Sequence, residues 1–156
     1  EKNSSLDYKF RSINSPKRFI SKNVFKLFEG AKLRAEVALK ANNSYVELYE
    51  TTYLNGENSD AISKLRVVSG KKSEIIGCTK MIANAPSKGH LDCRGLLLKN
   101  DSKITLIPAL VNANKESTLT HEASIGRITE DVLNYLMSRG LSEEEAIDLI
   151  VAGFLR

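Results

Sequence analysis

Residues 119–146 read LTHEASIGRITEDVLNYLMSRGLSEEEA and mark the point where strand-like patterning gives way to helix-like patterning. Before this stretch, from about residue 8, short β-rich runs alternate with Gly, Asn, Ser and Lys, which is typical of many short strands. After it, apolar residues recur at helical spacing. The sequence therefore predicts a mostly β domain over residues 1–126 and a helical subdomain over residues 127–156.

The strand-like runs show which faces are buried. Leu33, Ala35 and Val37 alternate with charged residues, so one face of that strand is buried and the other is wet. Turn-forming pairs such as Glu29-Gly30 separate the runs. The clearest runs are Val24–Phe28, Lys32–Leu39, Tyr45–Glu50, Lys64–Val68, Glu74–Met81, Leu91–Leu98 and Lys103–Leu110. This spacing fits a sandwich, a barrel or a solenoid, and no repeat of fixed length chooses among them.

Two short helices are predicted after Gly126. Thr129 caps the first, and Glu130 supplies the negative charge favoured in its first turn. Ser142 and Glu145 form a capping box that opens the second. Neither helix, at about ten residues, would be stable alone in water, so both must pack on each other and on something else.

Length and composition limit the class of protein. A chain of 156 residues suffices for one domain that buries roughly 70% of its unfolded surface. No apolar run approaches the ~20 residues that span a bilayer, so a soluble protein is expected, and the missing initiator Met suggests a fragment. Cys78 and Cys93, too few for a disulfide framework, suit a reducing cytoplasm.

Charge is distributed unevenly around a net value of +4. Residues 1–40 hold ten Lys/Arg against four acids, whereas residues 129–156 hold two against six. A basic stretch attracts nucleic acid or an acidic protein. This one lacks the aromatic and glycine pattern of single-strand readers, so solvated strand edges are the favoured interpretation and no nucleic-acid partner is expected.

Candidate metal ligands are His121, Glu122 and Cys93. Imidazole and thiolate suit iron or zinc, but adjacent side chains on a strand point to opposite faces, so spacing alone favours a structural role for His121 and Glu122. His90 and Cys93 have H-x-x-C spacing, with Cys78 fifteen residues before Cys93. A structural zinc site normally takes four ligands, and a small buried thiol is the simpler interpretation of Cys78.

No catalytic motif is present. Walker, dinucleotide-binding, zinc-protease and serine-hydrolase patterns are all missing, so the chain is expected to bind no nucleotide and not to be an enzyme. Glu57 and Asp60, the paired carboxylates that a β-solenoid glycosidase would use, fall in a polar loop.

Several linked motifs lie in fixed order between Gly89 and Phe154. They are Leu96-Leu97-Leu98, Ile107-Pro108, Leu119–Gly126, Asn134–Gly140, Ser142–Ala146 and Ile150–Phe154. In order and spacing they resemble the SufB/SufD family, specifically over roughly residues 88–155 and loosely before that. The resemblance implies a right-handed parallel β-helix, or β-solenoid, followed by a C-terminal α-helical hairpin.

The same resemblance implies a role. Family members are scaffold subunits of the SUF machinery, in which the ABC-type ATPase SufC helps to build a transient iron–sulfur cluster. A SufC-like ATPase and a second SufB/SufD-type scaffold, as homodimer or heterodimer, are therefore the expected partners, with no membrane partner. The helical subdomain is the implied SufC-docking element, with candidate contacts Val132, Leu133, Leu136, Met137, Ile147, Ile150 and Phe154.

The family also implies site residues. The histidine at His121 lies near the scaffold–scaffold interface where the cluster forms, and Glu122 matches the SufB-like His-Glu-Ala version. SufB members carry a cysteine six residues before the proline matched by Pro108, but Ser102 stands there, and a hydroxyl is a poor soft-metal ligand. Cys93 is the thiol on which the cluster site is then expected to depend.

Two other interpretations remain open. A β-solenoid carbohydrate-active enzyme would show carboxylates and arginines clustered on one strand face, and no such cluster is visible. A helix-turn-helix DNA-binding module would use Arg139-Gly140-Leu141-Ser142 as its turn. Its second helix would be acidic where a recognition helix needs basic residues.

Overall fold

The computed structural model describes residues 2–156 and arranges them as nine strands followed by two helices. The strands are β1 Ser5–Ser12, β2 Arg18–Leu27, β3 Lys32–Ala41, β4 Tyr45–Leu54, β5 Ser59–Ser69, β6 Glu74–Ala83, β7 Ser87–Leu97, β8 Lys103–Asn112 and β9 Thr118–Arg127. The helices are α1 Glu130–Ser138 and α2 Glu143–Phe154. The change from strand to helix thus falls between Arg127 and Glu130.

The strands form two parallel sheets that the chain visits in turn. Sheet A has the order β1-β3-β5-β7-β9, and sheet B has the order β2-β4-β6-β8. Paired residues in neighbouring strands are 27 to 30 positions apart in sequence. The fold is a parallel β-solenoid of about four turns, as the family resemblance predicted, and its right-handedness stays a prediction.

The core fills the space between the two sheets. Leu39 and Val67 from sheet A meet Val46 and Ile75 from sheet B, and all four are fully buried. Burying one such side chain stabilises the fold by about 2 kcal/mol. The alternation seen in the sequence follows because odd positions of β3 face this interior and even positions face outward.

A row of serines at one corner of the solenoid reveals a repeat that the sequence analysis did not detect. Ser15, Ser44, Ser73 and Ser102 recur every 29 residues, each beside a turn. Ser15 Oγ donates to Ser44 Oγ at 2.9 Å, and the Ser44 N–H donates to Ser73 Oγ at 3.3 Å. These hydroxyls satisfy turn groups that would otherwise be buried without a partner.

The seven predicted runs overlap β2 to β8, and the structure adds β1 and β9 at the two ends of the solenoid. Within residues 2–156, each of these two end strands pairs with a single neighbour, and each carries few apolar residues. In β9, Leu119 is half-buried, while Ala123 and Ile125 are exposed. A strand with so little to bury lacks the alternation from which strands are recognised.

Both predicted helix starts are confirmed. The Thr129 side chain accepts from the Val132 N–H, and Ser142 and Glu145 form the capping box. Helix α2 lies on the outer face of sheet A, where Val151 and Leu155 pack against Val68. Helix α1 contacts α2, and none of its residues is fully buried.

Within residues 2–156, no helix has the length and apolarity needed to cross a membrane.

Candidate functional site

The last turn of the solenoid forms an open end. Strands β8 and β9 are the final members of their sheets, and within residues 2–156 neither has a neighbour on its outer edge. Ile107 of β8 is 50% exposed and Ile125 of β9 is 45% exposed. Unpaired backbone groups and exposed apolar side chains therefore lie together at this end, which is the usual character of a strand edge available for pairing.

His121 and Glu122 lie on opposite faces of β9. His121 pairs with Leu91, whose row faces the solenoid interior, whereas Glu122 pairs with Asp92, whose row faces outward. Both side chains are exposed because β9 is the end strand. No kink brings them together, so His121 faces the inner side of the open end and Glu122 the outer surface of sheet A.

Cys93 shares the inner side with His121. Its side chain is 1% exposed, and its Sγ lies 3.2 Å from Thr79 Oγ1 of the opposite sheet. Burial raises the pKa of the Cys93 thiol, the hydrogen bond between Thr79 and the sulfur opposes this increase, and the nearby carboxylate of Glu50 adds to it. Cys93 pairs with Ala123, two residues beyond His121, which separates the Cβ atoms of Cys93 and His121 by about 8 Å.

Glu50 is a buried carboxyl group that the sequence analysis missed. It lies on the inner row of β4 beside Thr79, and Ser63 Oγ of sheet A donates to it. Burial raises the pKa of Glu50, and the hydrogen bond from Ser63 partly offsets that effect. The signal was present, because Val46 and Leu48 alternate inward and the next inward position is residue 50.

Polar side chains therefore run through the interior beneath the candidate site. Asn23, Glu50 and Thr79 occupy one inward row of sheet B, and Thr79 reaches Cys93. Asn23, Glu50 and Thr79 also line a cavity of about 10 Å³, close to the room that one water molecule needs. The solenoid core is thus polar along this row, and the buried hydroxyls of Thr52 in the next inward row and of Ser63 in sheet A lie beside it.

A chain of charged side chains crosses the outer face of sheet A, so the sequence interpretation that no strand face gathers carboxylates and arginines is wrong. Arg66 donates to the Asp92 carboxylate and, at 3.0 Å, to the Asp92 carbonyl oxygen. Asp92 also accepts from Arg94 Nε at 3.0 Å, and Arg94 reaches Glu122 at 3.4 Å. Burial would raise the pKa of Asp92, but the two arginines outweigh it and hold that pKa below its usual value.

The structure does not bring His90 and Cys93 together. His90 faces outward, and its Nδ1 lies 2.7 Å from Thr120 Oγ1, while Cys93 faces inward. Cys78 lies half-buried in an outward row of sheet B, and both cysteines are free. In the described part of the chain, no three His, Cys, Asp or Glu side chains gather in a metal-binding group.

Ser102 lies where the family resemblance led us to expect the cysteine of SufB members, and its side chain serves a turn. Its side chain is buried, and its Oγ donates to the Lys99 carbonyl oxygen at 2.6 Å. It is the last member of the serine row formed with Ser44 and Ser73. The hydrogen bond to the turn explains why a serine fits this corner. With serine at position 102, Cys93 is the thiol that shares the inner side with His121.

The predicted docking residues fall into two groups. Ile147, Ile150 and Phe154 are half-buried and pack toward the outer face of sheet A. Val132 and Met137 are exposed, whereas Leu133 and Leu136 are half-buried. Two further exposed residues of the predicted helices, Tyr135 and Leu149, extend the apolar surface of the hairpin.

A parallel β-solenoid that ends in a helical hairpin packed on its own outer face defines the structural class of this protein. Residues 85–154, which hold Cys93, His121 and both helices, match the family model described as SUF system FeS cluster assembly, SufBD core domain. The chain belongs to the SufBD family, and the resemblance predicted from its motifs is confirmed.

Relatives extend the similarity beyond that domain. An iron–sulfur cluster assembly SufBD family protein of Pyrococcus horikoshii is 38% identical over 145 residues, which cover 92% of this chain and 31% of the relative. One from Archaeoglobus fulgidus is 39% identical over 141 residues, covering 90% and 36%. One from Galdieria sulphuraria is 35% identical over 135 residues, covering 76% and 61%. The chain spans about a third of the length of the first two.

Proposed function

We propose that this chain is part of a non-enzymatic scaffold on which an iron–sulfur cluster is assembled in partnership with a SufC-like ATPase. The observation that carries the proposal is that His121, on the end strand β9, and the buried Cys93, one strand further in on β7, face the same inner side of the solenoid. Membership in the SufBD family supports it. The cluster is the product of the scaffold and leaves it, so it is not a resident cofactor.

The donor set suits iron. Thiolate and imidazole are both ligands of iron–sulfur clusters, as the cysteine-only and mixed cysteine–histidine sites show. Such a cluster takes four protein ligands, and this chain offers two on the inner side. The remaining donors would come from a second SufB/SufD-type scaffold placed against the open end.

The unpaired edges of β8 and β9 support such a partner. Free strand edges with exposed Ile107 and Ile125 are templates for pairing with another chain. Pairing at this end would place the partner's last strands directly across from His121. It would also shield the exposed apolar side chains from water.

Cys93 must lose its proton before it can bind a metal ion. A thiol binds metal as the thiolate, and the raised pKa of Cys93 favours the protonated thiol. Thr79 opposes this by hydrogen bonding to the sulfur. We therefore assign Thr79 the task of stabilising the thiolate when metal replaces the proton.

The SufC-like ATPase would dock on the exposed side of the helical hairpin. Helix α2 is anchored on sheet A through Val151 and Leu155, whereas the apolar residues Val132, Tyr135 and Leu149 are exposed. Six acids within residues 129–156 indicate a partner surface that is apolar at its centre and basic at its rim. A cytoplasmic location is proposed because both cysteines are free, as a reducing compartment would keep them.

The experiment is cluster reconstitution with ferrous iron and sulfide, followed by visible absorbance. Cys93→Ser and His121→Ala are each expected to lower the amount of cluster bound per chain by more than half. Cys78→Ser is the matched control, because its thiol faces outward from sheet B, and it is expected to behave like the wild type. Equal cluster content in Cys93→Ser and Cys78→Ser would disprove the site.

A further inference from the structure

Strand β9, which carries His121, is held along one edge alone. Its backbone pairs with β7, and no described strand covers its other edge. Its inner side chains are mostly exposed, so packing contributes little to the orientation of the strand. Side-chain contacts between β9 and β7 must therefore fix the orientation of β9, which core packing fixes for the inner strands.

Two such contacts lie on the outer face, and they flank His121. Thr120 Oγ1 lies 2.7 Å from His90 Nδ1, and Glu122 Oε2 lies 3.4 Å from Arg94. Residues 120 and 122 point outward and residue 121 points inward, because side chains alternate along a strand. Fixing both outward neighbours restricts rotation of the strand about its axis and so fixes the direction of the His121 imidazole.

Arg94, which contacts Glu122, is itself held in place by buried neighbours. An exposed ion pair usually contributes little, because ordering two long side chains costs about as much as the attraction gives. Arg94 is already ordered by Asp92, whose side chain is 9% exposed, and Asp92 is held by Arg66. Because Asp92 already restricts the Arg94 side chain, little further side-chain entropy is lost when Arg94 contacts Glu122.

We propose that the outer-face links His90–Thr120 and Arg94–Glu122 position His121, and that Glu122 is a positioning residue and not a ligand of the cluster. The proposal rests on the proposed function in so far as His121 binds metal. It assigns a shared task to His90, Asp92 and Glu122. It also accounts for the separation of His121 and Glu122 by the sheet, which prevents both from binding one metal ion.

The test uses the full chain with Cd²⁺ alone as the probe. Glu122→Ala is expected to weaken Cd²⁺ binding about tenfold, the usual cost of losing a group that orients a metal ligand. It should also speed hydrogen exchange of the β9 amides. Ser124→Ala, which changes the next outward side chain of the same strand, is the matched control and should alter neither.

Removing the arginine separates positioning from ligation. Arginine is not a metal ligand, so Arg94→Ala breaks the link while leaving the Glu122 carboxylate in place. Arg94→Ala is expected to weaken Cd²⁺ binding and to speed exchange of the β9 amides as Glu122→Ala does, and combining the two substitutions should add little to either effect. Full Cd²⁺ affinity in Arg94→Ala, or loss of affinity in Glu122→Ala with unchanged exchange, would overturn the proposal.

Failure of the proposed function gives a different pattern. If His121→Ala binds Cd²⁺ as tightly as the wild type does, His121 is not a metal ligand and the cluster site is wrong. The exchange rates of β9 would in that case still show whether the two links orient the strand.

Discussion

Thr79 Oγ1 and Cys93 Sγ lie 3.2 Å apart and join the two sheets through the interior of the solenoid. The contact connects β6 of sheet B with β7 of sheet A, fourteen residues apart in sequence. A hydroxyl beside a buried sulfur stabilises the thiolate, which burial disfavours. The pair therefore links core packing to the protonation of the candidate ligand.

Thr79→Val is expected to raise the pKa of Cys93 further, because it replaces the hydroxyl with a methyl group of similar size. In a Cys78→Ser background, the reaction of Cys93 with a small disulfide reagent should then begin at higher pH. Thr51→Val, in an outward row of β4, is the control and should leave the profile unchanged. An identical profile for Thr79→Val would mean that the hydroxyl does not act on the sulfur.

Glu50→Gln is expected to stabilise the protein at pH 8 by on the order of 1 kcal/mol. The folded-state pKa of Glu50 is raised by burial, so the carboxyl group favours folding below its unfolded pKa. That contribution is lost as the pH rises through the folded pKa, and glutamine does not titrate. Urea unfolding from pH 4 to pH 8 should show the two curves diverging as the pH rises.

Glu47→Gln provides the matched control for that experiment. Glu47 lies three residues earlier on the same strand, faces outward, and has a lowered pKa because Tyr49 donates a hydrogen bond to it. Its contribution has the opposite sign, so the substitution should bring no gain at pH 8. A similar gain in both variants would point to net charge and not to the burial of Glu50.

Arg66→Met is expected to destabilise the chain by about 3 kcal/mol, because it leaves the Asp92 carboxylate buried without its main partner. Chemical denaturation measures the loss. Arg34→Met, on the same outer face of sheet A but exposed, should change stability by less than about 0.5 kcal/mol. If Arg66→Met combined with Asp92→Leu is no more stable than Arg66→Met alone, the unpaired carboxylate is not the cause.

Leu155→Ala and Leu149→Ala are expected to separate anchoring from docking. Leu155 is 2% exposed against sheet A, so its truncation should cost about 2–5 kcal/mol of stability. Leu149 is 55% exposed, so Leu149→Ala should leave stability unchanged and weaken binding of a purified SufC-like ATPase. Full ATPase binding by Leu149→Ala together with Val132→Asp would place the docking surface elsewhere.

The sequence by itself determined the elements that depend on local chemistry. Thr129 and Ser142 cap their helices because capping involves backbone groups within three residues, and Leu33 and Val37 face inward because strands alternate. The linked motifs of residues 88–155 were sufficient to identify the family and, through it, the solenoid. Strand alternation also predicted that His121 and Glu122 point to opposite faces, and the structure showed that His121 is the one that faces inward.

Only the tertiary structure decided which distant residues meet. Each turn of the coil brings residues 27 to 30 positions apart side by side, so Arg66 pairs with Arg94 and reaches Asp92, 26 residues away, on the diagonal. The two sheets face each other across the interior, which brings Ser63 to Glu50. Turn lengths vary between coils, so local patterning does not fix these pairings. The same placement that hides Cys93 beneath Thr79 leaves His121 on the rim, because β9 is where the coil ends.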